Sequence, residues 1–246
     1  VARRSLWPRE HGAYVQLLAP LGTALIVRAP TAAAALLAVA ACAAFLANEP
    51  LLVVLGHRGA RMRETDGARA KRRLAITAAI ALAAGAGGLA LATGDARVMA
   101  AAAAVPAIAM VALAWTRSEH SLAGELVAAV ALPGAAAAVV VASGAAIQTA
   151  ARLWAAWAVG FACTVIAVHR VIARHRKPAT STDHAIAALL LATAAALTAT
   201  AFVGAPLAAA AFVLALRPPS ASHLRAIGVA LVVASIASGA LAVALV

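Results

Sequence analysis

Charge is what this chain is short of. Only 11% of its 246 residues are Asp, Glu, Lys or Arg, and just 8 are acidic. A soluble domain of this length needs more polar surface than that, so the water-soluble classes are excluded. Cysteine is equally scarce. Cys42 and Cys163 stand far apart in apolar stretches without metal-type spacing, which excludes a disulfide framework and points to two buried packing thiols. No P-loop, dinucleotide glycine fingerprint or Ser-His-Asp order is present. Arg3-Arg4 shares its arginine pair with export signals. Arg9, Glu10 and His11 then interrupt the apolar run, and no small-residue cleavage site follows, so the chain is expected to insert through its own helices.

What the chain has in abundance is apolar residues, 65% of the total, with a mean hydropathy of +0.98. Crossing a hydrocarbon core takes roughly 20 such residues per helix. Nine spans result, at about 12–28, 31–55, 74–92, 97–115, 121–142, 152–172, 184–203, 205–217 and 224–245. The expected fold is therefore all-α, a polytopic bundle of about nine transmembrane helices forming one integral membrane domain over 1–246. The eighth span is short, and only Gly204 separates it from the seventh, so a count of eight stays open.

The few charges are sorted by side. All 7 histidines, 7 of the 8 acidic residues and 17 of the 20 Lys and Arg fall on the face of the N-terminus and of the segments after spans two, four, six and eight. Arg28, Arg97 and Arg152 fall on the other. Cytoplasmic segments are the ones enriched in Lys and Arg, so the N-terminus is expected in the cytoplasm. The same effect explains the net charge of +12 without nucleic acid. Long polar loops are expected on that face at about 57–73 and 174–183. Lys71, Arg72 and Arg73 read first as a topology anchor and next as a contact for anionic lipid head groups.

Four groups on that face are candidates for chemistry. Asn48-Glu49-Pro50 interrupts span two, roughly 9 Å above the helix end at Leu55. A carboxylate there is costly unless paired, protonated or hydrated, and Pro50 frees a backbone carbonyl. The plainer alternative is an ion pair with a helix-end arginine. Glu10-His11-Gly12 opens span one behind Trp7-Pro8, where Glu10 also suits a helix N-terminus. Ser118-Glu119-His120-Ser121 leads into span five with Glu125 in its first turns; helix capping accounts for the serines but not for the second carboxylate. His169-Arg170 and Arg174 end span six, and the two arginines, four apart, share a helical face suited to phosphate or carboxylate. Glu49, Glu119, His120 and Glu125 are thus the candidate catalytic groups. Glu10, His11, Asn48, His169, Arg170 and Arg174 are the candidate substrate-binding groups. The carboxylates, Asn48 and imidazoles also suit a divalent cation such as magnesium, or acid–base and proton-carrying work.

WPREHGAYVQLLAP at the start, ANEPLL in span two, RSEHSLAGELVAA at span five and HRVIARHR at the end of span six resemble the YwiC-like family of bacterial membrane proteins. The resemblance implies a multi-pass protein of the bacterial cytoplasmic membrane and no particular reaction. More distantly, the layout is similar to the UbiA prenyltransferase superfamily. Its nine helices carry Asp-rich motifs in the loops after helices two and six, which hold magnesium and an isoprenoid diphosphate. Asn48-Glu49 stands at the first motif's opening, but Leu52 and Gly56 occupy positions that should be Asp, and the second loop offers only Asp183. The resemblance implies a UbiA-like arrangement and a membrane lipid, isoprenoid or with an anionic head group, as partner. It also implies a lipid-binding or lipid-modifying role with a polar cavity open to the cytoplasm between helices one, two, five and six. A small carrier, an ion or proton pathway, and a non-catalytic scaffold use the same groups and remain alternatives.

Overall fold

A computed structural model describes residues 5–8, 11–174, 202–216 and 223–245. Among these residues every regular element is an α-helix: α1 (His11–Val27), α2 (Ala32–Val54), α3 (Ala60–Leu91), α4 (Gly94–Trp115), α5 (Leu122–Ala142), α6 (Ile147–Arg174), α7 (Ala205–Leu216) and α8 (Leu224–Leu245). All but α1 and α7 are long and apolar enough to cross a membrane. The chain is a multi-pass, all-helical membrane protein. The expected nine helices are eight among the described residues, because the seventh span, 184–203, lies outside them except for its last two residues. A turn at 202–204, with Phe202 at φ 53°, makes α7 an element of its own.

The polar segment expected as a loop over 57–73 is helical from Ala60 onward. Its polarity keeps it out of hydrocarbon but not out of a helix, since Ala, Arg, Glu, Lys and Met are good helix formers. At 32 residues α3 is about 48 Å long, against a hydrocarbon core of about 30 Å. Its polar first turns therefore extend past the apolar window. Leu6, fully buried, packs there with Val53, Met62 and Ala70, and the Arg73 guanidinium lies 4.4 Å from the Trp7 ring centre.

Short polar residues start the helices. Thr31, Thr93 and Ser121 each accept a hydrogen bond from the backbone N–H three residues on, covering an otherwise orphaned donor. Three helices end in the same way. Gly56, Arg117 and Gly144 take positive φ just past α2, α4 and α5, and the two closing hydrogen bonds of a Schellman motif run back into each helix.

Most packing converges on α5, which touches α1, α2, α4 and α6. On one side lies the α2–α3 hairpin. There Gly88 lets the two backbones close so tightly that an added Cβ would sit 2.9 Å from the Leu37 side chain and 3.1 Å from its backbone nitrogen. On the other side α6, α7, α8 and α1 follow one another in contact and close a ring through α5. Pro133 weakens the hydrogen-bond ladder of α5, and Trp154 of α6 donates its indole N–H to the Val130 carbonyl at 2.8 Å. Between α1, α5 and α6 runs a crevice of about 10 Å³, room for about one water, lined by Pro20, Thr23, Pro133, Trp154 and Trp157 among others. This crevice is mainly apolar, and none of the candidate site residues lines it.

Candidate functional site

The Thr31 hydroxyl donates to the Ala142 carbonyl at 2.7 Å, so the start of α2 and the end of α5 lie at one level. Counting back at 1.5 Å per residue, Glu49 and Glu125 are both about 25–27 Å from that level. Glu125 in turn meets His169 of α6 at 2.8 Å. Glu49, Glu125 and His169 therefore share one layer at the basic end of the bundle, where the sequence pattern placed them.

Within that layer Glu49 is 1% exposed and forms a two-pronged ion pair with Arg58, Nε to Oε1 at 3.0 Å and Nη2 to Oε2 at 2.6 Å. The turn Gly56-His57-Arg58-Gly59 returns Arg58 to α2. Gly56 has φ 81°, and Gly59 has φ 94° with ψ 152°, a region closed to residues with a Cβ. Asn48 beside Glu49 is half-buried. Arg58 was not named by the sequence, although an ion pair of Glu49 with a helix-end arginine was the plainer alternative there, and this is that pair. Its signal was the glycine on either side of a short polar turn just past a buried acid.

The second group is built where α4 turns into α5. The Ser121 hydroxyl donates to the Ser118 carbonyl at 2.6 Å and accepts from the Gly124 N–H at 3.1 Å, folding the connection onto the first turn of α5. The fold-back is tight. A Cβ at Gly124 would lie 2.5 Å from the Ser118 carbonyl oxygen and 2.6 Å from that of Glu119. Glu119, Gly124 and Glu125 therefore form one corner. Glu119 approaches His120 at 3.9 Å through Oε1, while its Oε2 is fully buried with no hydrogen-bond partner. His120 itself is exposed.

Glu125 brings α6 to this corner. Its Oε2 meets His169 Nε2, and both side chains are partly exposed, 41% and 33%. Arg170, the next residue of α6, is half-buried. The carboxylate orients the imidazole, an arrangement that can hold or pass a proton. His11 opens α1 and Arg174 closes α6, and the side chains of both lie outside the described residues, as does Glu10.

Among the described residues no three His, Cys, Asp or Glu side chains form a cage for a metal ion. Nor do the residues fit the paired magnesium site implied by the UbiA resemblance. The only acid of Asn48-Glu49 is held by Arg58, and Leu52 and Gly56 follow it where further carboxylates belong.

The model of the family described as YwiC-like protein matches residues 7–141, more than half of the chain. That stretch holds Glu49, Arg58, Glu119 and Glu125 and stops short of His169. No curated protein and no solved structure matches.

Proposed function

The chain belongs to the YwiC-like protein family, and we propose that it binds the head group of a membrane lipid at its basic end. The carrying observation is the Glu125–His169 contact at 2.8 Å, partly open to its surroundings, with Arg170 next in the chain. Arg170 is the phosphate-binding group on this reading, and the oriented His169 is the group able to act on a bound lipid as acid or base. The sorting of Lys and Arg supports a bacterial cytoplasmic membrane with the N-terminus and this site on the cytoplasmic side. The hydropathy pattern of the sequence supports nine helices in a UbiA-like arrangement.

The test is native mass spectrometry of the detergent-purified chain with parallel lipid extraction, on wild type, His169→Ala and Arg170→Ala. Expected is an isoprenoid or phospholipid retained by the wild type and lowered at least tenfold in Arg170→Ala, with all three proteins monodisperse. Equal lipid in all three would refute the reading. One observation favours a second one: the buried pairing of Glu49 with Arg58 suits a structural role, and a non-catalytic scaffold needs no more than that.

A further inference from the structure

Arg73 stands immediately before Leu74, where the apolar run of α3 begins, so its side chain lies at the level of the lipid head groups. It is half-buried, with its guanidinium over the Trp7 ring. Leu6, fully buried against Val53, Met62 and Ala70, pins the N-terminal segment there, while the Trp7 ring itself stays 54% exposed. A guanidinium held over a ring by its face keeps the N–H donors in its plane for an acceptor. Among the described residues no carboxylate pairs with Arg73, nor with the exposed Lys71 and Arg72 beside it. The acid nearest to them in the chain, Asp66, is buried and faces Arg69 at 3.4 Å. Ile76 and Ile80 follow Arg73 three and seven residues on, hence on its side of the helix, and both are exposed. This side of α3 thus offers an oriented cation with free donors at the head-group level and an apolar stripe directly below it.

We propose that this face is a docking site for an anionic phospholipid. The phosphate accepts from the Arg73 fork, an acyl chain runs along Ile76 and Ile80, and Trp7 sets the depth at the interface. Charge selects the lipid. The uncompensated Lys71 and Arg72 attract a head group of net negative charge and repel the cation of a choline or ethanolamine head group. The site belongs to α3 and is separate from the Glu125–His169 contact of α5 and α6. Open to the bilayer on its outer side, it exchanges its lipid with the surroundings and is not expected to retain one through purification.

The experiment uses the full chain, delipidated in detergent and titrated separately with short-chain phosphatidylglycerol and phosphatidylcholine under native mass spectrometry. Wild type is expected to prefer the glycerol lipid by about tenfold. Arg73→Lys keeps the charge that fixes the orientation but loses the planar fork, and should cut the preference to about threefold or less. Trp7→Leu keeps an apolar anchor without the ring and should do the same. Arg61→Gln removes a charge from the same helix about 18 Å away and should leave the preference as it is. Equal affinity of wild type for the two lipids, or an undiminished preference in Arg73→Lys or Trp7→Leu, overturns the inference. An equal loss in Arg61→Gln also overturns it, since diffuse charge attraction alone would then account for the binding. Repeating the comparison on an Arg170→Ala background tells the two sites apart. The effect of Arg73→Lys is expected to persist there, and its disappearance would assign the preference to Arg170 instead. Size-exclusion profiles matching wild type show that the variants are folded.

Discussion

Replacing Arg58 with Met should unsettle the bundle more than any loss of one surface charge. The perturbation leaves Glu49, 1% exposed, without the two hydrogen bonds that Arg58 supplies at 3.0 and 2.6 Å. Hydrogen bonds to charged groups contribute about 1.5–3 kcal/mol each, and breaking a buried ion pair from one side typically costs about 3–5 kcal/mol. Glu49 has a further interaction besides Arg58, so the low end applies, about 3 kcal/mol. Removing both partners is different. In Glu49→Met/Arg58→Met neither member of the pair is left without the other, and apolar replacements of a buried pair are often close to neutral, so the double variant should lose no more than about 1 kcal/mol. The double variant is thus about 2 kcal/mol more stable than Arg58→Met alone, a factor of about 30 in the unfolding equilibrium. Reversible unfolding by SDS in mixed micelles reads both quantities. A single variant within about 0.5 kcal/mol of wild type, or a double variant as unstable as the single, would refute the claim that this pair holds the turn onto α2.

Two further outcomes follow from the geometry. Gly124→Ala drives a methyl into two carbonyl oxygens and should cost about 2–3 kcal/mol, whereas Gly22→Ala in α1, with nothing within 4 Å, should be neutral or slightly stabilising; thermal unfolding in detergent compares the two. In a background without Cys42 and Cys163, Ala68→Cys on the polar part of α3 should react with an impermeant maleimide only from the cytoplasmic side, and Asp95→Cys only from the opposite side. The reverse labelling in cells and inverted vesicles would overturn the orientation.

Hydropathy placed the membrane-crossing helices well because lipid rewards apolar length directly. The span at 121–142 became Leu122–Ala142, and the span at 224–245 became Leu224–Leu245. The same criterion failed at 57–73. Polarity reports which side of the interface a segment occupies, and the helical character of Ala60 to Arg73 had to come from backbone propensity instead. At the site, the sequence exposed Glu49, Glu125 and His169 as charges out of place, and the structure joins the last two. It offered a helix-end arginine as partner for Glu49 but not which one, because partnership across nine residues depends on a turn made possible by Gly56 and Gly59. It hid Gly124, which looks like one more small residue in an Ala-rich helix until the carbonyls stacked on it are known.

The central place of α5 has a consequence for how the protein is made. Helices leave the ribosome in order, and α1 and α2 touch each other only marginally. α1 and the α2–α3 hairpin both wait for a partner that emerges fifth. Until α5 is synthesised, α1 has no large surface to rest on and the α2–α3 hairpin has no neighbour among the earlier helices to bind firmly. The early chain must therefore persist in the bilayer as separate, lipid-solvated pieces, sheltered by the insertion machinery or by lipid alone. The arrival of α5 then gathers α1, α2 and α4 in one step. Truncation after α4 should for that reason leave a chain that is inserted but unassembled, a ready substrate for membrane proteases, while extension by one more helix should protect it.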